Sequence, residues 1–81
     1  ASDSDVKRYA KYKARDKLKF TEALERDMTS GALSAGQALD LAERYVAKYP
    51  STEKWMWAVC DSQDEEDFPL FCRVVDAHRR R

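Results

Sequence analysis

The sequence predicts an all-α protein: a single small bundle of four helices, or of five if the first one breaks. Only two glycines and two prolines occur among the 81 residues, and 43% of residues are apolar and 37% charged. That balance is typical of helical proteins. Apolar positions also recur at steps of three and four, the period of a helix with one buried face. We expect one domain, residues 1–81, frayed at residues 1–4 and 79–81.

The first helix is predicted from Val6 to Met28, with Ser4 or Asp5 as its cap. Unbroken it would be ~35 Å long, more than so short a chain can cover, so we expect a bend or break near residues 15–17. Gly31 can end the helix in a left-handed conformation. The apolar stripe of this helix consists of Val6, Ala10, Ala14, Leu18, Leu24 and Met28.

The second helix has the strongest local signals. Ser34 and Gln37 have the spacing of a capping box, and Leu33 can pack on Ala38 as a hydrophobic staple. Pro50 stops the helix. Its apolar face consists of Ala38, Leu41, Ala42, Tyr45, Val46 and Tyr49.

The third segment, residues 53–60, is predicted to be helical, with Ser51 or Thr52 as cap. Its apolar residues also alternate as in a strand, but a lone strand would leave its backbone donors without partners. The fourth segment tolerates Pro69 in its first turn. One of its faces carries Phe68, Phe71, Cys72 and Val75, and an adjoining face carries Leu70, Val74 and Ala77. So wide an apolar arc places this helix at the centre of the core.

The two cysteines do not have the spacing of a metal or redox motif. Cys60 and Cys72 are twelve residues apart, and His78 is the only histidine. We therefore predict buried, reduced thiols, no metal, no cofactor and a cytoplasmic or other intracellular location. A Cys60–Cys72 disulfide is the alternative if the third and fourth segments pack antiparallel. No segment is apolar enough to span a membrane, so we expect no membrane partner.

An acidic run precedes the fourth helix. Five acids lie between residues 61 and 67: Asp61, Asp64, Glu65, Glu66 and Asp67. Carboxylates beside a helix N-terminus stabilise its dipole, which accounts for the run without catalysis. With no glycine-rich phosphate loop and no pattern that selects a nucleophile, we predict that the protein is not an enzyme.

The tryptophans indicate a binding surface. On a helix, Trp57 points away from Trp55, so one of the two is expected to face outward. Trp57 then either packs under the following loop or anchors a partner, with Lys54 and Glu53 as its polar rim. Tyr9 and Tyr12, among lysines, add a basic face that attracts an acidic partner. The predicted function is an adaptor, inhibitor or regulator that binds another protein.

Nucleic-acid binding is the main alternative. Seven bases lie between residues 7 and 19 against a single acid, although the net charge of the chain is zero. These side chains could follow a phosphate backbone, or they could neutralise the acidic loop of the same molecule. The seven are Lys7, Arg8, Lys11, Lys13, Arg15, Lys17 and Lys19.

Leu33, Ser34, Pro50 and Trp55 share one ungapped frame and are followed by an acidic loop and an apolar helix. In these residues the stretch resembles the succinate dehydrogenase flavinylation (assembly) factor family. The family's Arg-Gly-x-x-Glu motif is missing: the equivalent region reads YKARDKLKF, with Ala14 in place of glycine and Lys17 in place of the acid. The resemblance implies a helical bundle that binds a protein partner, and none of the family's site residues is carried over.

Overall fold

Five α-helices form the structure, a computed structural model that describes residues 3–62 and 66–80. These ranges contain no strand, so the all-α prediction is confirmed in its five-helix form. No helix within them is long and apolar enough to cross a bilayer. The elements are α1 (Asp3–Tyr9), a 3₁₀ helix (Ala14–Asp16), α2 (Lys17–Ser30), α3 (Ala35–Lys48), α4 (Ser51–Cys60) and α5 (Pro69–Arg79).

The helices include some of the terminal residues for which we predicted fraying. Residues 3, 4 and 79, which we expected to fray, belong to helices. The other residues in that prediction are residue 80, which follows the last helix, and residues 1, 2 and 81, which lie outside the described ranges.

The predicted first helix is broken, and the break begins earlier than expected. α1 ends at Tyr9, and Lys13 is extended, with φ −102° and ψ −178°. The Lys13 N–H donates to the Asp16 carboxylate at 3.1 Å, and α2 begins at the next residue. The predicted apolar stripe is wrong at Ala10, which is exposed in the turn after α1. It is also wrong at Leu18, which is 50% exposed because the break changes the helical phase. The buried positions of α2 are Phe20, Thr21, Ala23, Leu24 and Asp27.

The turn between α2 and α3 follows its local signals. Gly31 has φ 85° and donates its N–H to the Met28 carbonyl at 3.2 Å, as predicted for a glycine cap. The capping box of α3 is formed in both directions: Gln37 N–H to Ser34 Oγ at 3.2 Å, and Ser34 N–H to Gln37 Oε1 at 2.8 Å. α3 ends two residues before Pro50. These predictions are confirmed.

The third segment is helical, as predicted, but its start differs. Pro50 occupies the cap position, and no side chain caps α4. The cap predicted at Ser51 or Thr52 is therefore wrong, because both residues are already helical. The Thr52 hydroxyl donates instead to the Tyr49 carbonyl at 2.6 Å.

The last helix lies at the centre of the bundle, as its wide apolar arc predicts. α5 packs against α2, α3 and α4. Pro69 is its first residue, and the Glu25 carboxylate of α2 accepts the backbone N–H groups of Phe71 at 2.8 Å and Leu70 at 3.4 Å. This carboxylate takes the place of a local cap, since Phe68 provides none.

Candidate functional site

An apolar cleft of about 250 Å³ opens on the surface between α3 and α5. The α5 wall carries Leu70, Val74 and Ala77, which the period of the helix places on one face. Among the described residues, Arg73 is the only charged one in the lining. The other lining residues are Met28 at the end of α2 and Ala35, Gly36 and Leu39 on α3. The cleft therefore offers apolar surface with a single positive charge.

Small residues of α3 open this cleft. Gly36 lies in the first turn of α3, and a Cβ at this position would touch only the Ser34 Oγ, at 3.9 Å. Val74 is buried beneath the cleft, whereas Leu70 and Ala77 are half-buried. The adjoining apolar face predicted for the fourth segment is thus only partly covered by the protein itself.

A histidine held between two carboxylates ties three helices together. His78 Nε2 lies 2.9 Å from a Glu53 oxygen of α4, and His78 Nδ1 lies 3.4 Å from a Glu43 oxygen of α3. The hydrogen bond to Glu53, supported by the one to Glu43, raises the pKa of His78 above its usual value. The arrangement favours the imidazolium form, so we interpret it as a charged clamp.

The next residue pairs with the start of the acidic run. Arg79 donates two hydrogen bonds to the Asp61 carboxylate, at 2.9 and 3.1 Å. This pairing lowers the pKa of Asp61. Glu66 and Asp67 are exposed just before α5, while Asp64 and Glu65 lie outside the described residues. Asp61, the first acid of the run, is therefore paired with Arg79 at the end of α5.

Trp57 is half-buried rather than presented to solvent. Its ring packs against the core, and the Arg79 guanidinium lies 4.9 Å from the ring centroid. Its Nε1 is buried and has no hydrogen-bond partner among the described residues. Trp55 is half-buried too. Of the predicted rim, Lys54 is exposed and Glu53 is bound to His78.

The predicted tyrosine face is divided between surface and core. Tyr9 is only 5% exposed, and its hydroxyl donates to the buried Asp27, so Tyr9 packs in the core. Burial and this hydrogen bond raise its pKa. Tyr12 is half-buried, with its ring edge-on to Phe20 at 6.0 Å.

The seven basic residues lie on four successive elements rather than on one helix. The break distributes them over α1, the turn after it, the 3₁₀ helix and α2. An open groove of about 430 Å³ includes Lys11 and Lys19 but also the acids Asp16 and Glu22. Lys17 is half-buried, with its ammonium 5.8 Å from the Trp55 ring centroid. The six others are exposed: Lys7, Arg8, Lys11, Lys13, Arg15 and Lys19.

The cysteines form a disulfide between α4 and α5, so the prediction of two reduced thiols is wrong. Cys60 and Cys72 have a Cα–Cα distance of 5.3 Å and are both buried. Packing α4 beside α5 brings the two residues together, as in the alternative considered from the sequence. The predicted intracellular location rested on reduced cysteines, and the disulfide removes that support.

Neither the cleft nor the histidine clamp was identified from the sequence. The sequence contained one indication of the cleft, because the fourth segment carries more apolar surface than one packing face requires. It contained no indication of the histidine clamp, since Glu53 and Glu43 lie 25 and 35 positions from His78. In residues 3–62 and 66–80, no group of three or more His, Cys, Asp or Glu side chains is arranged to hold a metal ion.

No family model matches the chain, and neither a curated protein nor a solved structure is significantly similar to it.

Proposed function

We propose that the protein is a non-enzymatic adaptor, inhibitor or regulator that binds another protein in the cleft between α3 and α5. The observation that supports this function is the apolar lining, in which Arg73 is the only charged residue of the part of the chain that the structure describes. Apolar surface gathered in one cleft is a common feature of sites where proteins bind partners.

The shape of the cleft favours a helix as its occupant. Leu70 and Ala77 are seven residues apart, so the α5 wall extends about 10 Å, or two helical turns. An amphipathic helix presents its anchors at i, i+3 or i+4, and i+7, which matches that length. Arg73 favours an acidic residue beside those anchors. The proposed occupant is therefore a partner helix with one apolar face and a flanking carboxylate.

Gly36 allows the cleft to be closed with little risk to the fold. Gly36 lines the cleft, and a Cβ there makes only an ordinary contact with Ser34 Oγ, at 3.9 Å, so Gly36→Phe adds a phenyl ring to the cleft lining. Ala47→Phe is the matched control: it places the same ring on an exposed position of α3, outside the cleft. Far-UV circular dichroism and thermal melting should first be used to check that both variants fold.

The experiment is affinity capture with the tagged protein from source lysate, with and without nuclease, analysed by mass spectrometry. We expect a discrete protein that survives nuclease, is retained by Ala47→Phe and is lost with Gly36→Phe. Arg73→Glu should weaken the same partner, and Lys54→Glu, a reversal at another exposed site, should not.

Two results would contradict this proposal. A partner lost with Trp57→Ala and retained by Gly36→Phe would move the site to the α4 face. If nuclease abolished recovery of the captured partner, the result would favour nucleic-acid binding by the basic residues. That alternative predicts that log affinity falls with log salt with a slope of about −0.9 per phosphate contact.

A further inference from the structure

A second cavity, of about 130 Å³, lies among α1, the turn that follows it, α2 and α3. Its interior is aromatic and aliphatic. Within residues 3–62 and 66–80, Arg44 and Lys48 of α3 are the only charged residues in its lining. The interior residues are Val6, Tyr9, Tyr12, Phe20, Leu41 and Tyr45.

Two of the three tyrosines that line this cavity, Tyr9 and Tyr45, have their hydroxyls hydrogen-bonded to groups other than cavity-lining residues. Tyr9 donates to Asp27, and Tyr45 donates to the Lys13 carbonyl at 2.5 Å. Burial raises the pKa of Tyr45 to about 12, so its hydroxyl stays protonated at neutral pH. What these residues present inward is ring surface, and a buried ligand would gain little from polar groups there.

The size and ring geometry of the cavity suit one aromatic ring. An apolar cavity of about 150 Å³ binds a single benzene molecule, close to the volume found here. Phe20 and Tyr45 stack at 4.0 Å between centroids with an interplanar angle of 8°, and Tyr9 meets Phe20 edge-on at 5.7 Å. A further planar ring can add to such a cluster in either geometry.

Two cations on one turn of α3 give the cavity mouth its charge. Arg44 and Lys48 are four residues apart, so their side chains project from the same side of the helix. Both are exposed. Arg44 is also 3.1 Å from Asp40, which neutralises part of its charge, but Asp40 is not in the lining. A negatively charged substituent at the mouth would meet two positive groups.

We propose that this cavity binds a small single-ring aromatic carboxylate. The ring lies against Phe20 and Tyr45, and the carboxylate faces Arg44 and Lys48. The site is separate from the cleft between α3 and α5 and does not depend on the function proposed for that cleft.

The test is an NMR titration of the folded protein with three probes: benzoate, benzyl alcohol and acetate. We expect benzoate to shift the ring resonances of Phe20 and Tyr45 with a dissociation constant of about 1 mM, the scale for so small a ligand. Benzyl alcohol has a ring of the same size without the charge and should bind about tenfold more weakly. Acetate, which has no ring, should leave these resonances unchanged.

Matched variants separate charge from cavity. Arg44→Gln with Lys48→Gln should weaken benzoate about tenfold and leave benzyl alcohol within about twofold, because only the anion uses the cations. Arg80→Gln with Lys54→Gln removes the same charge at exposed positions outside the cavity and should change neither.

Ala10→Trp tests the location, because Ala10 lines the cavity and is exposed. It should abolish benzoate binding, while Ala32→Trp, at an exposed turn residue, should not. Equal binding of benzoate and benzyl alcohol would overturn the carboxylate assignment. An absence of Phe20 and Tyr45 shifts at saturating benzoate would overturn the site itself, and this readout on the unmodified protein needs no variant to fold.

Discussion

The carboxylate of Glu25 accepts a 2.8 Å hydrogen bond from the backbone N–H of Phe71, 46 positions further along the chain. The same carboxylate accepts from the N–H of Leu70 at 3.4 Å. These are the second and third residues of α5, whose N–H groups have no partner within the helix. The Glu25 side chain of α2 therefore caps the N-terminus of α5, a role that a serine or aspartate just before the helix usually has. Its carboxylate also places negative charge at the positive end of the helix dipole.

Glu25→Ala should lower the free energy of unfolding by about 1 kcal/mol, the usual cost of losing a helix cap. Urea denaturation measures the change. Glu22→Ala, at an exposed position of the same helix, removes an equal charge without touching α5 and should be within about 0.5 kcal/mol of the wild type. Equal effects of the two substitutions would show that the cap contributes nothing measurable.

Tyr9→Phe should destabilise the protein by about 1–2 kcal/mol, because the buried Asp27 carboxylate loses its hydroxyl donor while the ring packing is kept. Tyr12→Phe is the control: its ring is half-buried in the same cluster, and its hydroxyl makes no hydrogen bond in the described structure. Urea midpoints of the two variants give the comparison. A neutral Tyr9→Phe would contradict a role for this hydrogen bond in holding α1 on α2.

Stability should fall as pH rises through the range in which His78 loses its proton. The folded state raises the pKa of His78 above its ordinary value of 6.5, chiefly through Glu53 of α4 and also through Glu43 of α3. The stabilisation is therefore fully present below pH 6.5 and is lost as pH passes through the raised pKa of the folded state. Urea unfolding from about pH 5.5 to about pH 8.5 measures this dependence.

The controls for this pH dependence are His78→Gln and Glu53→Gln. Glutamine at position 78 keeps hydrogen-bonding groups but does not titrate, so its profile should be flatter over the same range. Glu53→Gln removes the nearer carboxylate and should reduce the slope. A slope unchanged in His78→Gln would assign the dependence to another group.

Reduction of the Cys60–Cys72 disulfide should lower the free energy of unfolding by about 3 kcal/mol, the chain-entropy value for a loop of this length. Urea denaturation with and without reductant measures it, with mass spectrometry to confirm that the bond is formed. The double substitution of both cysteines by alanine should be less stable and insensitive to reductant. Equal stability of the oxidised and reduced wild type would contradict the expected contribution.

Features set by neighbouring residues were predictable from the sequence. The Ser34–Gln37 capping box, the Gly31 cap and Pro69 in the first turn of α5 all depend on interactions within a few positions. The break in the first helix was predictable only in part. The short chain predicts that the helix must break. The position of the break is linked to the hydrogen bond between Tyr9, at the end of α1, and Asp27 of α2, 18 residues away.

Features that depend on helix packing were not predictable. The Glu25 cap and the His78 clamp join residues on different helices, and no spacing in the sequence marks them. Cys60 and Cys72 come within 5.3 Å only because α4 and α5 pack side by side. Trp57 could be assigned to a helix, but its cover by Arg79 depends on where α5 ends.

The central position of α5 has a consequence for how this domain is made. A ribosome releases the chain from its N-terminus, so α1 to α4 emerge while the helix against which α2, α3 and α4 pack has not yet been synthesised. Their apolar faces have no common partner until Pro69–Arg79 is available. The core can close only at that point, and nascent chains that stop before Pro69 should be captured by chaperones and cut by proteases, whereas chains that include α5 should resist both.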